Sequence, residues 1–117
     1  MTPRLEGAAT RMTVYLNDGD RWGRSALFTE VVRRARERGL AGASVLHGVE
    51  GYGAGTLVHT DRLLDAADDL PVVVIIVDSD EKIRAFLPEL DEIIRDGLVT
   101  LEPVEVVRYR GAGETTA

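Results

Sequence analysis

Two histidines at either end of a glycine-rich stretch are the side chains of this sequence best suited to binding a metal. His47 and His59 are twelve residues apart, and a hairpin between them would bring their imidazoles together. With a carboxylate from Glu50 or Asp61, two imidazoles meet the ligand preferences of zinc or copper. The spacing matches no metal-binding signature, so a metal-binding protein that uses His47 and His59 is an alternative hypothesis.

The stretch between these histidines is dominated by glycine. Four glycines occur in eight residues, at positions 48, 51, 53 and 55, directly after an apolar run typical of a strand. Glycine permits close approach to the backbone, but it loses more chain entropy than other residues when it is ordered. The stretch is therefore either a flexible hairpin loop or a place where a ligand contacts the backbone. No Gly-Lys-Ser/Thr follows it, and the spacing is not a dinucleotide-binding fingerprint.

Catalysis has little support in this sequence. Carboxylates are plentiful, but no pair lies in a context that would separate two pKa values by burial. Ser25, Ser44 and Ser79 are each explained by a helix cap or a strand, and none has an obvious base. The absence of cysteine excludes a thiolate nucleophile, a disulfide and a cysteine-based zinc site. We therefore expect a protein that is not an enzyme.

Composition limits the partners and the location. The 117 residues suffice for one domain with a single core. A net charge of −6 argues against nucleic acid as a partner, because phosphate neutralisation needs a basic surface. The longest apolar run, 72–77, is far too short to span a bilayer, and the first ten residues lack the apolar region of a signal peptide. We expect a cytoplasmic protein that does not insert into the membrane.

The hydrophobic pattern predicts six elements in the order strand, helix, strand, strand, helix, strand. Six β-branched residues without alternation at 72–77 indicate a strand in the centre of a sheet. The strands are expected at 12–16, 43–49, 72–77, 98–101 and 104–109, where the last two ranges are one strand interrupted at Pro103.

Capping residues predict where the two helices begin and end. The first helix has Ser25 as its N-cap and Gly39 just after its C-cap, and its arginines are expected on the solvated face. The second begins with Asp78 in a capping box and ends at Gly97. Pro88 removes one backbone hydrogen bond from this helix, so we expect a bend or break there.

These elements predict an α+β fold of the ferredoxin-like type, βαββαβ, with both helices on one face of an antiparallel sheet. The other face is too apolar to remain in water, so we expect it to be covered in an oligomer. Residues 1–10 are expected to be a flexible N-terminal arm, 11–109 the domain, and 110–117 a flexible C-terminal tail.

Several stretches resemble the PII-like family known as domain of unknown function 190. The residues that carry the resemblance read LAGASVLHGVEGYG at 40–53, HT at 59–60, DLPVVV at 69–74, DSDEKI at 78–83, FLPEL at 86–90 and GLVTLE at 97–102. Together they extend over most of the chain between Met12 and Val107.

This resemblance implies a relative of the PII signal-transduction proteins. Those proteins are ferredoxin-like homotrimers that bind small effectors, usually adenine nucleotides, between subunits and contact a partner protein through a long T-loop. By resemblance, residues 51–61 are that loop, and trimer formation covers the apolar sheet face. The occurrence of family members with fluoride-export channels implies a membrane transporter or channel as the partner.

One segment departs from the PII pattern. In PII proteins a loop with glycine and lysine after the second helix holds phosphates, whereas here the link is only Arg95-Asp96-Gly97. We therefore expect a nucleotide or another anion to be bound differently from PII, with glycine amides and two cations as ligands. The candidate ligand-binding residues are Gly48, Glu50, Gly51, Gly53, Arg62 and Lys82. A ligand-free oligomeric adaptor is the remaining alternative.

Overall fold

The computed structural model describes residues 5–53 and 70–110; residues 1–4, 54–69 and 111–117 lie outside the described part. The described residues form six strands and two helices. In chain order these are β1 (Gly7–Asn17), β2 (Arg21–Trp22), β3 (Ser25–Ala26), α1 (Leu27–Glu37), β4 (Ser44–His47), β5 (Pro71–Asp78), α2 (Asp80–Ile93) and β6 (Leu98–Val106).

Four of the strands form one antiparallel sheet in the order β4-β5-β1-β6. The two central strands, β1 and β5, pair from Asn17↔Pro71 at one end to Thr10↔Asp78 at the other. The prediction of a central strand at 72–77 is confirmed. Its continuous apolar sequence suits a strand that has neighbours on both edges.

Both helices pack on one face of this sheet, which confirms the predicted α+β ferredoxin-like arrangement. Alternate residues of β1 and β5 point into the core, because side chains alternate between the two faces of a strand. Each helix adds one apolar stripe to the same cluster. The core consists of Met12, Val14 and Leu16 from β1, Val72, Val74 and Ile76 from β5, Leu27, Val31 and Ala35 from α1, and Ile83, Phe86, Leu90 and Ile93 from α2.

Neither helix of the described residues covers the opposite face of the sheet. Tyr15 pairs with Val73 and with Leu98, and Leu46 pairs with Val73, so these four residues form one row across this face. The side chains of Tyr15, Leu46 and Leu98 are 43%, 54% and 55% exposed. We call Tyr15, Leu46, Val73 and Leu98 the open row. Such a continuous apolar row is unusual on a monomer and is typical of a surface that contacts another chain.

The start of the chain differs from the prediction. β1 begins at Gly7, five residues before the predicted strand, so a flexible arm through Thr10 is wrong for residues 7–10. Their pairing with β6, from Gly7↔Val106 to Thr10↔Pro103, accounts for the extension. The predicted boundary between residues 109 and 110 lies at the edge of the described residues, so the flexible C-terminal tail stays a prediction.

The N-cap predicted at Ser25 is wrong. Ser25 belongs to the small β2–β3 ribbon, which the sequence pattern did not indicate, and the N-cap residue is Ala26, without a side-chain hydrogen bond. The N–H of Leu27 instead donates to the carbonyl oxygen of Asp20 at 2.8 Å. The first N–H groups of a helix have no acceptor within the helix, and here the carbonyl oxygen of Asp20 takes the place of a side-chain cap.

The end of α1 follows the prediction. Gly39, at φ 75°, comes directly after the C-cap Arg38. Its N–H donates to Arg36, and that of Leu40 donates to Ala35, which is the Schellman pattern of helix termination.

The second helix begins one residue later than predicted, and Pro88 does not break it. Ser79 is the N-cap, and its hydroxyl accepts a hydrogen bond from the N–H of Lys82 at 3.2 Å. Asp78 instead ends β5, where its buried carboxylate accepts from the N–H of Ala41 at 2.8 Å. Helix α2 continues through Pro88, because its buried stripe stays anchored in the core on both sides of the proline.

The predicted interruption of the last strand at Pro103 is also wrong. β6 runs unbroken through Pro103 and ends at Val106. Among the described strands it lies at the edge of the sheet, beside β1. An edge position tolerates a residue without an N–H when that side faces away from the partner strand.

A buried carboxylate on α1 holds Arg34, the side chain that links this helix to α2 and to Trp22. Glu30 is buried, and it accepts two hydrogen bonds from Arg33, at 2.7 and 3.0 Å, and one from Arg34 at 2.7 Å. Arg34 also donates to Glu89 of α2 at 3.0 Å, and its guanidinium lies 5.5 Å from the ring centroid of Trp22. The expectation that the arginines of α1 lie on a solvated face is therefore wrong for Arg34, which is 12% exposed.

Acid should weaken the hydrogen bonds that Glu30 accepts from Arg33 and Arg34. Hydrogen bonds from Arg33, and then those from Arg34, lower the pKa of Glu30 from 4.5 to about 2, against the opposing effect of burial. A lowered pKa means that the stabilisation is present above pH 4.5 and is lost as the pH falls toward 2. Glu30→Gln should therefore lower the free energy of unfolding by about 1–3 kcal/mol near pH 7. It should also reduce the acid sensitivity of urea unfolding below about pH 4.5.

The matched control is Glu37→Gln, because Glu37 is 62% exposed and accepts only from Arg33. This variant should stay within about 0.5 kcal/mol of the wild type. Identical pH dependence for the wild type and Glu30→Gln would contradict the role given to Glu30.

Candidate functional site

One end of the sheet gathers the segments that border the glycine stretch. β4 ends there at His47, opposite Val72, while β1 ends and β5 begins at the pair Asn17↔Pro71. β6 begins at the same end with Leu98 opposite Tyr15. The first described range ends at Gly53 and the second begins at Leu70, beside the same strand ends.

A cavity of about 170 Å³ lies at this end of the sheet, and we call it the loop-base cavity. Its lining is aromatic, apolar and amide in character, without a charged side chain among the described residues. The lining residues are Tyr15, Leu16, Asn17, Tyr52, Gly53, Pro71, Gly97 and Leu98. This chemistry suits a flat, weakly polar group better than a phosphate.

Two of the predicted site glycines lie against Pro71. The N–H of Gly48 donates to the carbonyl oxygen of Pro71 at 2.7 Å, which continues the β4–β5 ladder by one rung. A Cβ on Gly48 would lie 2.7 Å from Cγ of Pro71, and a Cβ on Gly51, whose φ is 150°, would lie 3.1 Å from it. Close packing therefore favours glycine at position 48, and the positive φ favours it at position 51.

The other predicted residues of this segment are placed differently. Gly53 lines the loop-base cavity directly, and among the described residues, its chain neighbours apart, no heavy atom lies within 4 Å of where its Cβ would be. Glu50 is exposed. The predicted loop 51–61 is described only as far as Gly53, and Arg62 also lies outside the described residues.

Within one chain, Lys82 lies far from Gly48, Gly51 and Gly53. Its Nζ donates to the carbonyl oxygen of Gly39 at 2.8 Å and lies 3.7 Å from the carboxylate of Asp78. Asp78 and Pro71 are the two ends of β5, about 23 Å apart for a strand of this length. The structure therefore does not bring Lys82 together with Gly48, Gly51 and Gly53.

His47 is engaged by neighbouring side chains. Its Nε2 lies 2.9 Å from Oδ1 of Asp18, and its ring contacts Phe28 edge-on with the ring centroids 5.3 Å apart. An ionised carboxylate only accepts hydrogen bonds, so Nε2 is the donor. Within residues 5–53 and 70–110, no group of three or more His, Cys, Asp or Glu is arranged to hold a metal. His59 lies outside these ranges, and a site that includes it stays a prediction.

Sequence reasoning missed the aromatic and amide side chains of the cavity. Tyr52, which is 71% exposed, stands in the middle of the glycine stretch, and an exposed aromatic residue there could have been recognised as a ligand contact. Tyr15 and Asn17 carried no such signal, because each also suits the end of a strand.

The link before β6 places Gly97 against the carbonyl oxygen of Tyr15, which lies only 2.9 Å from where a Cβ on Gly97 would be.

The fold defined by this sheet and its two helices is that of PII-like proteins. The chain superimposes on CPII, a nitrogen regulatory PII-like protein from Thiomonas intermedia K12 solved with ADP, AMP and acetate, with a TM-score of 0.64 at 13% identity, over 87% of this chain and 91% of CPII. A putative PII-like signaling protein from Thermus thermophilus gives a TM-score of 0.59 at 16% identity, over 86% of this chain and 91% of that protein.

Sequence comparison shows the family. The DUF190 family, described as Uncharacterized ACR, matches residues 9–106, and the chain belongs to this family. A UPF0166 protein of Aquifex aeolicus is 35% identical over 96 residues, which are 82% of this chain and 90% of that protein. A second UPF0166 protein, from Methanocaldococcus jannaschii, is 30% identical over 101 residues, which are 86% of this chain and 91% of that protein. The resemblance on which the family prediction was based is confirmed.

No helix within the described ranges is long and apolar enough to cross a bilayer.

The packing of Gly48 against Pro71 can be tested by substitution. Gly48→Ala would force a Cβ into Cγ of Pro71, so we expect a loss of about 1–3 kcal/mol in the free energy of unfolding. Gly53→Ala is the matched control from the same segment, because its Cβ would meet no heavy atom within 4 Å among the other described residues. Equal stability of the two variants in urea unfolding would contradict this account of the segment.

Proposed function

We propose that this protein is a non-enzymatic PII-like regulatory protein that acts as a homotrimer. It binds a small effector, an adenine nucleotide with or without a small anion, at clefts between subunits. Each cleft contains the loop-base cavity of one subunit, and the effector state is transmitted to a partner protein through the segment 51–61. By family resemblance, the partner is a membrane transporter or channel.

The observation that carries this proposal is the position of the loop-base cavity. The cavity lies between the glycine stretch, which contributes Tyr52 and Gly53, and the end of the sheet, which contributes Tyr15, Pro71 and Leu98. A ligand seated there contacts both the scaffold and the segment, so its binding energy can change the conformation of the segment.

The size of the cavity supports a site shared between subunits. Its volume of about 170 Å³ is smaller than the roughly 300–1,000 Å³ of most ligand pockets. Tyr15 and Leu98 belong both to the cavity lining and to the open row. A second copy packed on the open row would therefore also extend the wall of the cavity.

The chemistry of the lining supports a nucleotide with its base inward. Tyr15 and Tyr52 offer aromatic faces, and Asn17 offers an amide, for an adenine ring. Charge for the phosphates must come from outside this lining, from Arg62 or from a neighbouring subunit. CPII, whose fold this chain shares, has been solved with ADP and AMP, which makes these two nucleotides the first ligands to test.

Light scattering and calorimetry test the assembly and the ligand together. We expect a solution mass of three times the 12.8 kDa of one chain and one adenine nucleotide bound per subunit. At a hundredfold excess over its dissociation constant, the nucleotide should stabilise the folded protein by about 2.7 kcal/mol. A monomer that no adenine nucleotide stabilises would contradict the proposal, and a trimer without any ligand would favour the adaptor hypothesis.

Tyr52 provides a test of the mode of binding. Removal of its ring in Tyr52→Ala should weaken ADP binding roughly tenfold or more, because stacking of an aromatic ring on a base contributes about 1–3 kcal/mol. Tyr52→Phe keeps the ring and should bind ADP with nearly the wild-type affinity. Isothermal titration of the three proteins measures this, and equal affinities for Tyr52→Ala and the wild type would exclude stacking on Tyr52.

A further inference from the structure

Asp18 contacts both chain segments that border the glycine stretch. Its carboxylate accepts a hydrogen bond from Nε2 of His47, the last residue of β4, at 2.9 Å. Its backbone N–H donates to the carbonyl oxygen of Leu70, the residue before β5, at 2.8 Å. One residue in the turn after β1 thus bridges the two stems, which we define as residues 47–48 and 70–71.

The turn that carries Asp18 is itself fixed. The N–H of Asn17 donates to the carboxylate of Asp20 at 3.0 Å, and the N–H of Asp20 donates to the carbonyl oxygen of Asn17 at 3.0 Å. The carbonyl oxygen of Asp20 accepts from Leu27, which ties the turn to α1. Asn17 is 7% exposed and lines the loop-base cavity, so the residue at which this turn begins also forms part of the cavity wall.

The His47 ring is held from two sides. Asp18 fixes its Nε2, and Phe28 of α1 packs edge-on against it. The next residue, Gly48, donates to the carbonyl oxygen of Pro71 at 2.7 Å. A shift of His47 would therefore move Gly48 relative to Pro71, and with it the start of the segment that supplies Tyr52 and Gly53 to the cavity.

We infer that Asp18 is a positioning residue for the effector site: it holds the two stems together so that the loop-base cavity is preformed before a ligand binds. This inference rests on the proposed function for the identity of the ligand. The bridge itself rests only on the two hydrogen bonds of Asp18. Preorganisation of this kind raises affinity because less ordering remains to be done on binding.

ADP affinity tests the consequence for binding. Asp18→Ala should bind ADP about tenfold more weakly than the wild type, whereas Asp18→Asn keeps an acceptor oxygen for Nε2 and should recover most of the affinity. In the His47→Ala background, Asp18→Ala should cause little further loss, because the two side chains act through one contact. Asp91→Ala, an exposed aspartate on α2, is the matched control and should bind as the wild type does.

Amide hydrogen exchange tests the bridge without a ligand. In Asp18→Ala, the N–H of Gly48 should exchange at least about tenfold faster, while that of Ile76 in the middle of β5 should keep its wild-type rate. Faster exchange of both amides would indicate global destabilisation and would overturn a local role for Asp18. Unchanged exchange at Gly48 would overturn the inference outright.

The binding and exchange experiments together distinguish a failure of this inference from a failure of the proposed function. If the wild type does not bind ADP, the proposed function fails, and exchange at Gly48 alone decides whether Asp18 holds the stems. If the wild type binds ADP and Asp18→Ala binds it equally well, the positioning role is wrong while the proposed function stands.

Discussion

The pairing of β1 with β5 is the constraint on which the remaining structure depends. Their register, from Asn17↔Pro71 to Thr10↔Asp78, directs alternate apolar residues toward the two helices. A slip by one residue would turn each buried side chain to the opposite face, so the core strongly fixes this register. The same register places the turn after β1 beside Leu70 and Pro71, and therefore places Asp18 between the two stems of the glycine segment.

This geometry has a cost on the other side of the sheet. The two described helices cover one face, and among residues 5–53 and 70–110 the open row leaves large apolar side chains exposed on the other. The row and the loop-base cavity share Tyr15 and Leu98, so association through the open face and completion of the ligand site are one structural event in our proposal. Assembly and effector binding should then be thermodynamically linked, because any ligand that binds only the trimer stabilises it.

The sequence alone predicted those elements correctly whose hydrophobic pattern has one structural explanation. The unbroken apolar run at 72–77 predicted a central strand, and Gly39 predicted the end of α1, because each pattern has few alternative explanations. Predictions that rested on a single local signal were less reliable. Ser25 was displaced as a cap by a backbone contact to Asp20, and Pro88 and Pro103 were tolerated because tertiary packing and an edge position compensated for their missing N–H groups.

The site was predictable only in part for a related reason. Glycines signal close packing locally, so Gly48 and Gly51 were identified, and both lie against Pro71. Lys82 was grouped with them for its positive charge alone, and within one chain the length of β5 separates it from them. Tyr15 and Asn17 line the candidate cavity, and Asp18 contacts its two stems, because of the β1–β5 register, which no local pattern reveals.

The most direct test of the central claim is an amide chemical-shift titration of the isotope-labelled protein with ADP. Our account predicts shifts that saturate at one nucleotide per subunit and that concentrate at Tyr15, Asn17, Gly48, Tyr52, Gly53 and Leu98, the residues of the loop-base cavity and its stem. The amides near Lys82 and Gly39, at the far end of β5, should move little. Shifts confined to the outer surface of the helices, or no shifts at all, would contradict an effector site at the base of the glycine segment.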